Sequence, residues 1–172
     1  STAVYLSESF ANQSQGDFTI QNVLLTGPLS YVWQPTALYG MKASAYVGGA
    51  NNPSEAWVVS PYVDLLEASK PVLVFDQARK YGVDFLAECF VMVSVNYEGD
   101  VTECDWVPIP FNQDENGNYI VPDGSSWDFM STGNLDLSAF AGQKITIGFK
   151  YTSSSEGSAT WEFKNLVVKE LK

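Results

Sequence analysis

Three carboxylates stand at the spacing E-x-D-x-x-E in Glu98-Gly99-Asp100-Val101-Thr102-Glu103. Paired carboxylates carry glycoside hydrolysis, one as the acid and the other as base or nucleophile. On a strand, Glu98 and Asp100 would share a face, and Glu103 would fall on the other unless a bulge intervened. Gly99 after Tyr97-Glu98 reads more simply as a hairpin turn. The chain has no histidine, which removes Ser-His-Asp and Cys-His catalysis and the commonest zinc sites. It also has no glycine-rich phosphate loop of Walker or Rossmann type. The expectation is a protein that is not an enzyme, with a glycoside hydrolase as the catalytic alternative.

Two other kinds of chemistry are written into the residues. Asn112, Asp114, Asn116 and Asp123 occupy positions one, three, five and twelve of a calcium loop in EF register, with Gly117 at position six. Asn replaces the usual Asp at the first position and Asp the bidentate Glu at the last. A polar hairpin turning at Asn116-Gly117 competes with that reading. The second chemistry is stacking. A sugar ring lays its C–H face on an aromatic plane, and Trp and Tyr supply such a plane with a polar handle. Trp57 and Trp161 sit in alternating apolar runs and read as core. Trp33, Trp106 and Trp127 border loops, as do Tyr39, Tyr81, Tyr97 and Tyr119. An exposed pair among them would form a platform. Trp33 and Trp127 are the expected ligand-binding pair, because both lie in polar surroundings.

The elements that must position these groups are strands. Ile145, Ile147, Phe149 and Tyr151 alternate with Lys144, Thr146, Gly148 and Lys150, and Trp161, Phe163 and Val167 continue the pattern after a serine-rich loop. Such alternation buries one strand face and wets the other. Further strands are expected at 18–25, 31–33, 38–47, 56–60, 71–79, 85–97, 102–109 and 134–137. Residues 137–142 read as a single helical turn closed by Gly142. No segment keeps a helical period, and strands recur with turn signals between them, which points to a sandwich of antiparallel sheets.

The 172 residues suit one domain, 1–172, with a sizeable core. A net charge of −11 with nine basic residues leaves no phosphate-binding stripe, so neither nucleic acid nor an anionic membrane surface is expected as a partner. No apolar run approaches the roughly 18 residues needed to span a bilayer, so direct membrane insertion by this domain is not expected. An acidic surface suits cations, calcium above all, and neutral ligands such as glycans. Cys89 and Cys104 flank an expected hairpin. With its turn near Glu98-Gly99, Cys104 would face Met92, which favours free buried thiols over a disulfide. Ser1 is not a natural start, so any export signal or lipid anchor is expected ahead of it.

Several segments occur together in a telling order. They are Glu8-Ser9-Phe10, Tyr39 to Tyr46, Glu55 to Pro61 leading to Val63-Asp64-Leu65, Ser131 to Ser138 before Gly142, Phe149 to Ser153, and Thr160 to Asn165. In this order and spacing the chain resembles the choice-of-anchor J domains and the cleaved-adhesin domains of gingipain-type haemagglutinins. The resemblance implies an all-β antiparallel jelly-roll sandwich akin to MAM and concanavalin-like folds, two facing sheets with little helix. It implies a non-catalytic module of a secreted or outer-membrane-anchored bacterial surface protein, binding a glycan or a host or cell-surface protein. A structural spacer is the alternative. It also implies a structural calcium, for which Glu8, Asn51, Asn52 and Asn165 are the oxygen donors in segments that could converge. The spacing E-x-D-x-x-E separately resembles the catalytic strand of one group of jelly-roll glycosidases, whose pattern wants an apolar residue where Gly99 stands.

Overall fold

The structure, a computed structural model, describes residues 2–171. Its strands are Val4–Glu8 (β1), Thr19–Leu25 (β2), Trp33–Pro35 (β3), Met41–Ala43 (β4), Tyr46–Val47 (β5), Ala50–Asn51 (β6), Ser54–Val59 (β7), Val63–Asp64 (β8), Pro71–Tyr81 (β9), Cys89–Ser94 (β10), Val107–Pro108 (β11), Met130–Ser131 (β12), Leu135–Asp136 (β13), Lys144–Ser153 (β14) and Ala159–Glu170 (β15). Seven of them form one antiparallel sheet, ordered β12-β9-β15-β4-β3, with β1 also on β15 and β13 also on β9. Six form the other, ordered β11-β10-β14-β7-β2, with β8 also on β14. The chain passes repeatedly between the two sheets, at β8–β9, β9–β10, β13–β14 and β14–β15 among others, as a jelly-roll sandwich requires.

Alternation explains the core. Ile145, Ile147, Phe149 and Tyr151 of β14 point inward, as do Trp161 and Phe163 of β15, and all are buried. Phe149 and Phe163 stack across the two sheets with ring centroids 4.0 Å apart and planes at 14°. Trp33, Phe75 and Phe10 close around that stack.

The outer faces of the two sheets differ, and this decides where a ligand can go. On the six-stranded sheet, Trp57 and Val59 are buried with Val101, and Met92, Tyr97 and Trp106 pack on them. The lid is the loop between β10 and β11, held by Trp106 Nε1 donating to the Val101 carbonyl at 2.9 Å. A Cβ at Gly148 would meet the Trp57 ring at 2.8 Å, so only glycine lets the indole lie flat on the strand. That face is therefore covered. The outer face of the seven-stranded sheet is covered in part, burying Ala78, Thr160 and Glu162, but two recesses remain on it.

Several expected boundaries move. Residues 85–97 read as one strand, but Phe85–Glu88 forms a helical turn (α1), started by Asp84 accepting from Leu86 N–H at 3.2 Å. Local capping overrides the apolar pattern there. The run 38–47 splits into β4 and β5, and β5 pairs with β6 around Gly48-Gly49, both at positive φ. The stretch 102–109 pairs only at Val107–Pro108, with Met92 opposite Pro108 and not Cys104. Both cysteines are free; Cys89 is buried and Cys104 half-buried. The turn at 138–140 is a short 3-10 helix, as expected from its sequence.

Candidate functional site

The outer face of the seven-stranded sheet is built by the outward side chains of β4, β9 and β15. Glu162 of β15 pairs in register with Lys42 on one side and Ala78 on the other, and Thr160 pairs with Lys80. Alternation turns all of these away from Trp161 and Phe163.

Loops at the sheet edge add the aromatic rings. Lys80 bridges Ser125, and Tyr81 N–H donates to the Gly124 carbonyl, which ties the segment before β12 to the end of β9. This places Trp127 edge-to-face against Tyr81, with ring centroids 5.8 Å apart and planes at 84°. The Lys80 ammonium lies 5.4 Å from the Tyr81 ring and 5.5 Å from the Trp127 ring. A cation over a ring face is attracted by the ring quadrupole and stiffens the pair. Tyr81 is 58% exposed and Trp127 46%. Tyr81 also holds φ at +63°, a left-handed conformation that is costly for a bulky residue.

Two recesses flank this pair. One, of about 600 Å³, lies at the loop end of the sheet and is lined by Tyr46, Tyr81, Asn51, Glu156, Ser158 and Thr160. Its wall is set by the β5–β6 hairpin, in which the Asn52 side-chain amide donates to the carbonyls of Ala45, Val47 and Ala50 at 3.1 Å each. Asn51 Oδ1 accepts from the Ser158 hydroxyl at 2.7 Å. The other recess, of about 340 Å³, is lined by Tyr39, Lys42, Trp127 and Glu162.

Glu162 is the unusual group. It is only 3% exposed, yet among the described residues no group hydrogen-bonds its carboxylate, and the single ion pair is Arg79–Glu88. Burial pushes its carboxyl above the usual carboxylate range, while Lys42 and Lys164 pull it the other way. A raised carboxyl binds its proton more tightly folded than unfolded. Stability is therefore lost as pH rises from the unfolded value, about 4.3, through the raised folded value. Glu162→Gln is expected to melt above the parent at pH 7, with the gap closing below about pH 4. Thermal melts at both pH values check this; a gap that widens on acidification would contradict it.

The sequence-expected residues fall as follows. Trp127 lines the smaller recess. Trp33 does not belong to it: the ring is 2% exposed, 5.5 Å from both Trp161 and Phe163, and its Nε1 donates to the Ala56 carbonyl at 3.1 Å. β3 turns Trp33 inward and Gln34 outward, so the expected Trp33–Trp127 pair does not form. The exposed ring beside Trp127 is Tyr81.

The two calcium donor sets are dispersed. Glu8 and Asn165 are neighbours, with Asn165 N–H donating to the Ser9 carbonyl, but Glu8 accepts from Phe10 N–H and Asn165 Nδ2 donates to Asp76. Asn51 and Asn52 lie beside Ser158, seven residues of nearly extended chain from Asn165, which is about 23 Å. In the alternative loop, Asn112 Nδ2 turns to the carbonyls of Thr132 and Asn134. Asp114 accepts from the N–H groups of Asn116 and Asn118, and Asp123 from Ser125. These bonds hold both aspartates below their ordinary carboxylate range. The segment is the Asn116-Gly117 hairpin, with Gln113 bridging Tyr119. In the E-x-D-x-x-E run, Gly99 turns at positive φ and Asp100 caps Thr102. All three carboxylates lie exposed on the lid loop.

Glu162 and Lys42 were not legible as site residues. The available signal was a Glu opposite a Lys on an outward register, which ordinarily means a solvated face.

No family model matches the chain, and no curated protein matches it. Solved structures do. The K3 cleaved adhesin domain of Lys-gingipain from Porphyromonas gingivalis W83 superposes with a TM-score of 0.61 at 12% identity, over 99% of this chain and 100% of that one. The K1 cleaved adhesin domain of the same protein gives 0.57 at 13% identity, over 97% and 98%. The chain thus has the fold of the gingipain cleaved adhesin domains over nearly its whole length. The carbohydrate-binding module TmCBM61, in complex with β-1,4-galactotriose, gives 0.47 at 10% identity over 96% and 97%, too distant a likeness to carry an argument.

Proposed function

We propose that this chain is a non-catalytic binding module, displayed outside the cell, that holds a glycan on the outer face of its seven-stranded sheet. The observation that carries the reading is the exposed Tyr81–Trp127 pair standing between two recesses floored by polar side chains. Exposed rings offer a sugar's C–H face apolar cover, and Glu162, Lys42, Asn51 and Thr160 offer its hydroxyls acceptors and donors. Placement on a rigid sheet favours this, since the floor is preorganised and little ordering cost falls on binding. The lidded opposite sheet leaves this face as the natural platform.

Two features favour binding over hydrolysis. Glu162 is the one carboxylate lining its recess, whereas glycoside hydrolysis uses two flanking one bond. The three carboxylates of the E-x-D-x-x-E run lie on the lid of the opposite sheet. The shared fold with cleaved adhesin domains fits display on a bacterial surface.

Affinity electrophoresis against soluble polysaccharides tests the reading. Retardation of the parent is expected. Trp127→Ala should weaken it at least about tenfold, 1.4 kcal/mol per factor of ten, with an unchanged circular dichroism spectrum because the ring is surface-exposed. No retardation by any polymer would leave the chain as a spacer.

A further inference from the structure

Resting on that reading, we infer that the ligand is an uncharged linear glycan lying along β15 across both recesses, with Glu162 and Lys42 reading neighbouring hydroxyls at one end. Three observations carry this. First, the recesses are two parts of one track. Ser158 and Thr160 line one and Glu162 the other, all on the same stretch of chain. Ser158 and Glu162 are four extended residues apart, about 13 Å, longer than one pyranose ring. The Tyr81–Trp127 pair bridges the interval, with Tyr81 in the first recess and Trp127 in the second.

Second, no group among the described residues hydrogen-bonds the Glu162 carboxylate, and its oxygens are not among the buried unpartnered atoms, so they open into the recess. Such a carboxylate can accept hydrogen bonds from a ligand without first giving up one to the protein. A carboxylate accepts from two hydroxyls, and the Lys42 ammonium beside it donates to one. Side by side on paired strands, they match a vicinal diol.

Third, both signs of charge stand at this face. A uronate would meet Glu162, and Asp76 farther along the same face. An amino sugar would meet Lys42, Lys164 and Lys80. Each charged sugar therefore meets repulsion along with attraction on this face, and only a neutral chain avoids every like-charge contact.

The test uses the intact chain and named probes. Soluble β-glucan, xylan, galactan and mannan are compared with polygalacturonate and chitosan by affinity electrophoresis. The neutral polymer that binds is then cut into a ladder from one to six sugars for calorimetry. The expected result is retardation by a neutral polymer, and affinity rising at least a hundredfold from mono- to tetrasaccharide. Tyr46→Ala should flatten that ladder. Glu162→Gln should weaken the hexasaccharide about tenfold, and Lys42→Ala gives a second reading of the same pair. A monosaccharide binding as tightly as the hexasaccharide would overturn the inference, as would polygalacturonate or chitosan as the best ligand. If Trp127→Ala still abolished that binding, the glycan-binding reading would stand without it. Failure of every polymer would remove both.

Discussion

Phe163→Ala is expected to lower folding stability by about 3–5 kcal/mol. The ring is fully buried and stacks on Phe149 of the facing sheet at 4.0 Å. It also meets Phe10 at 5.3 Å, Trp33 at 5.5 Å and Phe75 at 5.9 Å. Truncation removes the stack that joins the two sheets and leaves a cavity that the rigid strands on either side cannot close. Urea unfolding should show a lower midpoint with the slope unchanged, since the area exposed on unfolding hardly alters. Phe163→Leu should lose distinctly less, because most of the volume remains. An alanine variant within about 1 kcal/mol of the parent would mean that this stack is not what holds the sheets together.

Glu88→Ala should be of similar size, about 3–5 kcal/mol, by a different route. Glu88 is buried at the end of α1. Its carboxylate accepts from Val83 N–H at 3.0 Å and Asp84 N–H at 3.1 Å, and pairs with Arg79 Nη2 at 3.5 Å. Arg79 is itself buried, and its Nε has no partner among the described residues. Alanine would leave a buried guanidinium without its counter-charge and two amides without acceptors. Glu88→Gln keeps an acceptor for the amides and removes only the charge, so it should fall between the parent and the alanine variant. A Gln variant as damaged as Ala would assign the effect to the charge. Because Arg79 adjoins Gly82 and Gly124, which flank Tyr81 and Trp127 in sequence, the same variant should also loosen the aromatic pair. Hydrogen exchange at residues 79–84 and 122–128 would read that loosening directly.

Much of the fold was legible because it is written in a period of two. The alternation of Ile145 to Tyr151 and of Trp161 to Phe163 named the inward residues correctly, but Val167 was misplaced: an irregularity between Lys164 and Val167 shifts the register and turns Leu166 and Val168 inward instead. The turns at Gly48-Gly49 and Asn116-Gly117 fell where glycine relieves positive φ. The miss at 85–88 was local: Asp84 caps a helical turn inside what reads as an apolar strand. The site was half legible. Tyr39, Tyr81 and Trp127 border loops and line the two recesses, whereas Trp33 borders loops and is core. Nothing within a few residues of either tryptophan separates the two cases. Burial of a short edge strand depends on what the distant Trp161 and Phe163 place behind it.

The sequence by itself determined which side chains share a face of each strand, because backbone geometry alternates them without reference to anything remote. It also determined that histidine chemistry is absent. Only the tertiary structure decided which outer face keeps the two recesses. That depended on the β10–β11 loop folding over Trp57, and on Tyr39 and Trp127, separated by about half the chain, lining one recess with Glu162. Such meetings follow from packing between elements far apart in sequence, and no local pattern records them.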